Sequence, residues 1–118
     1  MKAIILFGHG SRDPQWREPM EAVAHRIRAR AAQLQVQCAF LELDAPDLAT
    51  AAADVIQAGA DSVRVVPMFL RAGRHAREDL PKLLEQCRQT HPTVPFELAP
   101  SVGENQRVLD LIATIALE

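Results

Sequence analysis

The sequence has few cysteines, and this scarcity excludes a fold that depends on disulfide bonds. Only Cys38 and Cys87 occur among the 118 residues, and they form no CxxC pair. Two cysteines are too few for a disulfide framework. A reducing compartment such as the cytoplasm is therefore the expected location.

Long apolar runs and an excess of one charge are also missing. No apolar stretch reaches the roughly 18 residues of a membrane span, and the N-terminus lacks the full pattern of a signal peptide. The net charge of −2 predicts no general attraction to nucleic acid or to an anionic membrane. With 48% hydrophobic and 24% charged residues, residues 1–118 are expected to form a single globular domain.

Strand and helix patterns alternate along the whole chain. Apolar segments predict strands at residues 3–7, 37–43, 62–66 and 94–98, and the helices between them are marked by apolar stripes. The first helix can open at Asp13-Pro14, the second is capped by Asp47 and ended by Gly59, and the third covers 77–90. The last covers 104–117, and its inward face is expected to hold Val108, Leu109, Ile112, Ile115 and Ala116.

This alternation with short connections predicts a three-layer α/β/α fold with a four-stranded parallel sheet. Pro95 cannot donate a ladder hydrogen bond, so the fourth strand is expected at a sheet edge. Pro81 fits only within the first turn of the third helix. Four strands are few for this architecture, which suggests that a partner subunit completes an edge or a face.

Two histidines follow strands and are the first candidates for chemistry. His9 follows the first strand between Gly8 and Gly10, and His75 follows the third strand. In an open parallel sheet, ligands bind outside the carboxyl ends of the strands. Two neutral imidazoles at neighbouring strand ends could therefore share one divalent metal ion.

Glu42, near the end of the second strand, is a third candidate ligand, because an unpaired carboxylate is costly in a buried parallel strand. Two imidazoles and one carboxylate would make a weak, open site for a first-row metal. Each residue also has an ordinary explanation, namely a solvated histidine or an exposed strand end. The coincidence of the three matters more than any one of them.

Other candidates lie around the histidines. Ser11 adds a hydroxyl, and the cations suited to carboxylate or phosphate groups are Arg12, Arg71, Arg74 and Arg77. The apolar run Met68-Phe69-Leu70 lies in a loop, where such a run more often lines a ligand cleft or a subunit contact than the core. A mixed-charge surface and ordinary core packing remain the alternatives for these two groups.

Two segments resemble the signatures of a known family. Phe7-Gly8-His9-Gly10-Ser11-Arg12 looks like the N-terminal signature of the small sirohydrochlorin chelatases, the short CbiX-type class II enzymes. The run from Val66 to Leu70, followed by Gly73-Arg74-His75 and Asp79-Leu80-Pro81, matches their second signature, and Phe40–Leu43 with Pro46 is a weaker match. The resemblance covers nearly the whole chain, in order.

The resemblance implies a chelatase-like fold and insertion of Co²⁺ or Fe²⁺, or another divalent ion such as Ni²⁺, into sirohydrochlorin without ATP or an organic cofactor. It implies that His9 and His75 are catalytic and bind the metal, with Glu42 as the acidic partner. Ser11, Arg12, residues Met68 to Leu70, Arg71 and Arg74 would bind the macrocycle. The short members are similar to one half of a two-domain class II chelatase and pair as homodimers. Some short members carry a histidine-rich segment, which this chain lacks.

Two other functions remain open from the residues. A histidine phosphatase or phosphotransferase would use His9 as its nucleophile, although that class usually has arginine directly before the histidine, where this chain has Gly8. A non-catalytic carrier of metal or tetrapyrrole would need the same cleft as a chelatase. Turnover beyond one equivalent separates a carrier from an enzyme.

Overall fold

A computed structural model describes residues 1–118 and confirms the alternation of strands and helices. The strands are β1 (Lys2–Gly8), β2 (Gln35–Phe40), β3 (Ser62–Pro67) and β4 (Phe96–Leu98). The helices are α1 (Glu18–Arg30), α2 (Leu48–Gln57), α3 (Arg74–Thr90) and α4 (Gln106–Leu117), with a 3-10 turn at Val102–Glu104 before α4.

All strands are parallel, in the order β2-β1-β3-β4. Ala3 of β1 lies opposite Gln35 of β2 and Val63 of β3, so the strands start nearly level and their carboxyl ends share one edge of the sheet. The predicted parallel α/β fold and the edge position of β4 are confirmed. Pro95 lies just before β4, where its carbonyl accepts a hydrogen bond from Val63.

The two faces of the sheet bury different residues, because side chains alternate along each strand. Ala3, Ile5 and Phe7 of β1 belong to a large core cluster under α2 and α3. Leu6 belongs to a smaller cluster that packs against Met20 of α1. The sheet is therefore the middle layer of three, as the sequence predicts.

Several element boundaries differ from the predicted ones. Helix α1 begins at Glu18 and not at Asp13-Pro14, because residues 14–17 form turns and Pro19 supplies the favoured proline near the helix start. Strand β2 runs from Gln35 to Phe40, so Glu42 lies beyond its end in a turn in which Leu43 adopts a positive φ of 65°.

Helix α3 begins three residues earlier than predicted, at Arg74. Gly73 occupies the N-cap position and its carbonyl accepts the backbone hydrogen bond of Arg77. Pro81 consequently lies inside the helix and not in its first turn, so that prediction is wrong. The sequence cannot place such a start reliably, because no side chain caps this helix.

The expectation for α4 is also wrong. No residue of this helix is buried, and Leu109, Ile112 and Ile115 are 42%, 44% and 57% exposed. The apolar stripe exists, but it does not pack on the core of its own chain.

None of the helices is long and apolar enough to cross a membrane.

Helix α2 starts with the predicted cap. The Asp47 carboxylate accepts a hydrogen bond from the Thr50 N–H at 2.9 Å, and this bond lowers the pKa of Asp47. A carboxyl whose pKa is lower in the folded state stabilises the fold above its ordinary pKa. It loses that effect as the pH falls through the lowered value.

We therefore expect Asp47→Ala to lower the free energy of unfolding at pH 7 by about 1 kcal/mol. The deficit should shrink as the pH falls below about 4, the ordinary pKa range of aspartate. Urea denaturation of both proteins at several pH values measures it. Asp47→Asn is the control, since it keeps a capping oxygen that does not titrate. A deficit of the same size at every pH would contradict this origin.

Candidate functional site

The pairing of β1 with β2 continues past the ends of both strands. The Leu41 N–H donates to the Gly8 carbonyl at 2.9 Å, and the Glu42 N–H donates to the His9 carbonyl at 3.0 Å. These bonds hold the two segments side by side and bring the side chains of His9 and Glu42 together. The His9 Nε2 atom lies 2.9 Å from the Glu42 Oε1 atom, and both side chains are about half exposed.

Two glycines permit this close approach. A Cβ atom at Gly10 would overlap the backbone oxygen of Glu42, and Gly10 has a φ of +103°, which favours glycine. A Cβ atom at Gly8 would meet the Met20 sulfur, so that glycine lets α1 pack directly over the end of β1. The glycines around His9 thus make room for the neighbouring segments.

Arg17 stabilises the turn that follows Glu42 through several contacts. Its guanidinium donates to the Asp44 carboxylate and to the Ala45 carbonyl, both at 3.1 Å, and pairs with Glu21 at 2.8 Å. It also lies 4.6 Å from the centre of the Phe40 ring. The hydrogen bond to Glu21 is the main cause that raises the pKa of Arg17 above its ordinary value. The guanidinium is charged in any case, as arginine is throughout proteins. No local motif marks Arg17, so the sequence does not single it out as a residue of the site.

His75 lies in the first turn of α3, beyond the carboxyl end of β3, whereas the sequence predicts that this helix starts only at residue 77. Its Nε2 atom lies 2.6 Å from the Asp79 Oδ2 atom, and 62% of its side chain is exposed. Asp79 was not singled out from the sequence, although its position four residues later on a helix could have indicated the contact. No group of three histidine, cysteine, aspartate or glutamate side chains comes together around one point.

The structure thus places the Glu42 carboxylate beside His9 and the Asp79 carboxylate beside His75. Each imidazole has one acidic neighbour at the same edge of the sheet, since β1 and β3 are adjacent strands. A shared ion between the two histidines stays a prediction.

The apolar run after β3 divides between the two cores. Met68 packs against the cluster under α1, and Phe69 packs against the other cluster, with its ring edge-on to Phe7 at 6.4 Å between centroids. Leu70 is 66% exposed beside them. The loop is therefore anchored by two partly buried side chains and offers Leu70 to solvent.

The predicted polar contacts are spread over the same end of the molecule. Ser11 is half-buried and its hydroxyl oxygen accepts a hydrogen bond from the Asp13 N–H, whereas Arg12 is exposed. Arg74 is exposed and pairs with Glu78. Arg71 and Arg77 line an open cavity of about 270 Å³, which gives Arg71 a setting in which it could meet an anionic group.

Neither thiol suits metal binding at this site. Cys38 is buried in β2, and burial is the main cause that raises its pKa to about 11. Cys87 is buried in α3, and its pKa is raised for the same reason. Metals bind the thiolate form, which both environments disfavour. The donors available at the strand ends are the imidazoles of His9 and His75 and the carboxylates of Glu42 and Asp79.

Comparison with known proteins gives a consistent family match. A family model described as CbiX matches residues 3–117. A curated relative named sirohydrochlorin cobaltochelatase, from Methanopyrus kandleri, is 37% identical over 84 residues, which are 71% of this chain and 59% of the relative. The chain spans only 37% to 64% of the length of the first curated relatives it matches.

Solved structures agree with the fold. A crystal structure described as a cobalamin (vitamin B12) biosynthesis CbiX protein, from Marinobacter aquaeolei VT8, is 32% identical, with a TM-score of 0.82. The match covers 98% of this chain and 94% of that one. The sirohydrochlorin chelatase SirB from Bacillus subtilis subspecies spizizenii, in complex with cobalt, is 26% identical, with a TM-score of 0.80 over 92% of this chain and 47% of its own.

A glycine comparison tests the close approach of the two strand ends. Gly10 and Gly59 both have positive φ, but a Cβ atom at Gly59 would meet no other atom. We expect Gly59→Ala to cost on the order of 1 kcal/mol of unfolding free energy. Gly10→Ala should cost at least ~1 kcal/mol more, since the added carbon overlaps backbone. Denaturation of both variants measures the difference, and equal costs would contradict the close contact.

Proposed function

Because this chain belongs to the CbiX family, we propose that it inserts a divalent metal ion into sirohydrochlorin, without ATP and without an organic cofactor. The metal, Co²⁺, Fe²⁺ or Ni²⁺, is a substrate. The observation that carries the proposal is the contact of His9 with Glu42 at the carboxyl ends of β1 and β2. An imidazole and a carboxylate that are both half exposed suit an ion that must arrive and leave.

In this proposal His9 and Glu42 receive the incoming ion, and His75 joins them from the adjacent strand end. Imidazole and carboxylate donors accept several first-row divalent ions, so these residues do not select one metal by themselves. The carboxylates of Glu42 and Asp79 offset part of the charge of the ion. A site of few donors holds the ion loosely and leaves positions open for the ring nitrogens.

Insertion also requires the macrocycle to lose two pyrrole N–H protons, one for each new charge that the metal brings. An imidazole can accept a proton near neutral pH once the ion has left it. Glu42 and Asp79 would stabilise the resulting imidazolium, because each is already within hydrogen-bond distance of a histidine. Either histidine can therefore act as the base in this scheme.

The macrocycle would lie against the loop from Met68 to Leu70, where exposed Leu70 offers an apolar surface to a ring face. Its peripheral carboxylates would pair with Arg12, Arg71 or Arg74, and Ser11 would add a hydroxyl contact. Arg71 has the most suitable setting, beside the cavity of about 270 Å³ that it shares with Arg77.

We also propose that residues 1–118 act as one chelatase-like domain that pairs with a second copy. A match to about half of the SirB chain supports this arrangement, since one copy would correspond to one half of a longer enzyme. The cytoplasm is the proposed location, because two buried free thiols fit a reducing compartment.

The test is an absorbance assay in which the protein, sirohydrochlorin and each metal are mixed in turn, with a protein-free control. We expect multiple turnovers, and we expect His9→Ala and His75→Ala each to lower the rate by about 100-fold or more, since each removes a ligand and a base. His25→Ala, an exposed histidine on α1, is the matched control and should leave the rate unchanged.

Near-normal insertion by the His9 or His75 variant would remove that residue from the mechanism. A spectral change that stops at one equivalent would indicate a carrier. Hydrolysis of a phosphate ester that persists in a metal chelator would indicate the phosphatase function.

The arginines should affect substrate binding more than the chemical step. We expect Arg12→Ala, Arg71→Ala and Arg74→Ala to raise KM by roughly threefold or more with little change in kcat, because each removes an ionic contact made before and during insertion. Arg26→Ala on α1 is the control. An unchanged KM in all three variants would contradict the assignment.

A further inference from the structure

Large apolar side chains are exposed at one edge of the sheet and almost nowhere else outside α4. Apart from Met1 and the residues of α4, the large apolar side chains that are more than a third exposed are Trp16 after β1, Leu43 after β2, Leu70 after β3 and Leu98 at the end of β4. Each strand therefore has one exposed apolar side chain at or beyond its carboxyl end, which is the edge of the candidate site.

Leu43 is the unusual member of this group, because its backbone lies in the left-handed region with a φ of 65°. It is the only residue other than glycine that has a positive φ in this chain. A bulky side chain makes this conformation unfavourable, whereas glycine and asparagine adopt it readily. The Leu43 side chain is 50% exposed, so packing within the fold recovers little of this cost.

The residues on both sides of Leu43 are fixed by hydrogen bonds. The Glu42 N–H donates to the His9 carbonyl at 3.0 Å, and the Asp44 carboxylate accepts from Arg17 at 3.1 Å. The turn that presents Glu42 therefore holds position 43 in the left-handed region, but nothing in it calls for leucine. A side chain that is unfavourable for the fold and exposed beside a candidate site indicates a contact with something outside the fold.

We propose that Leu43 binds the macrocycle, with its side chain packed against one face of the tetrapyrrole ring. The inference rests on the proposed function and adds a binding residue on the β2 side of the site. Leu70, on the β3 side, is the apolar contact that the proposed function already includes.

The sheet places the two leucines on opposite sides of His9. In the order β2-β1-β3, the strand that leads to His9 lies between the strands that lead to Leu43 and Leu70. Neighbouring strands are about 4.8 Å apart, so the two outer strand ends are separated by roughly 10 Å. This separation is comparable with the width of a tetrapyrrole ring. Apolar contacts on both sides of β1 would support a flat ring while its nitrogens face an ion near His9.

A flat ring with charged groups at its rim suits this edge better than a protein partner does. Each of the two leucines has an exposed charged residue next to it in the chain, Glu42 before Leu43 and Arg71 after Leu70. The core of a protein interface is depleted of charged residues. A small-molecule site instead combines apolar contacts with a few charged groups that fix the orientation of the ligand.

The proposal predicts opposite effects of one substitution on stability and on binding. Leu43→Asn removes the apolar contact and introduces a residue that tolerates a positive φ. We expect the melting temperature to rise by about 2 °C, because backbone strain is relieved. We also expect the Kd for metal-free sirohydrochlorin to rise roughly fivefold, because the apolar contact is lost. Thermal denaturation measures the first effect, and titration followed by sirohydrochlorin absorbance measures the second.

Two control variants separate these contributions. Leu43→Met keeps an apolar side chain and the strained backbone, so its melting temperature and its Kd should stay close to those of the wild type. Leu117→Asn changes a leucine at the end of α4 that is 87% exposed. This variant should leave the Kd unchanged and should not raise the melting temperature.

Binding is measured without metal, so the result does not depend on insertion. A Leu43→Asn variant that binds sirohydrochlorin as tightly as the wild type would overturn the ring contact and leave the proposed function intact. A melting temperature that does not rise would show that this leucine serves the fold. A lower mass of this variant in light scattering would show that Leu43 contacts a second copy, and either result would also overturn the proposal. A wild type that binds no sirohydrochlorin would refute the proposed function together with the ring contact.

Discussion

The parallel pairing of β1 with β2 beyond the strand ends is the constraint on which the candidate site depends. Two backbone hydrogen bonds continue the ladder through His9 and Glu42, and these bonds decide that the two side chains meet. Gly10 makes the approach possible because only a residue without a Cβ atom fits against the Glu42 oxygen. The backbone geometry of these two segments therefore determines where the His9 and Glu42 side chains lie.

The turn after β2 shows how an exposed site is held in place. Surface ion pairs stabilise a protein little by themselves. Arg17, however, combines two carboxylates, a backbone carbonyl and an aromatic ring, and most of its side chain is covered. Such a network restricts the segment that carries Glu42 while leaving the carboxylate open to solvent. A rigid frame around exposed donors suits a site that binds an ion only briefly.

The chain divides into a self-sufficient core and an appended helix. Three helices and four strands bury their apolar faces against one another, whereas α4 leaves its stripe exposed. The tie from Gly103 to Phe69 connects this appended helix with the loop beside the site.

The sequence by itself determined the order and type of the elements, the edge position of β4, the cap at Asp47 and the presence of His9, Glu42 and His75 at strand ends. Apolar periodicity and turn residues carry that information locally. Tertiary structure alone decided that His9 contacts Glu42 and that Arg17 holds the turn, whereas the contact of His75 with Asp79 follows locally once α3 begins at Arg74. It also decided that α4 has no partner in its own chain, because periodicity shows which side of a helix is apolar and not what covers it.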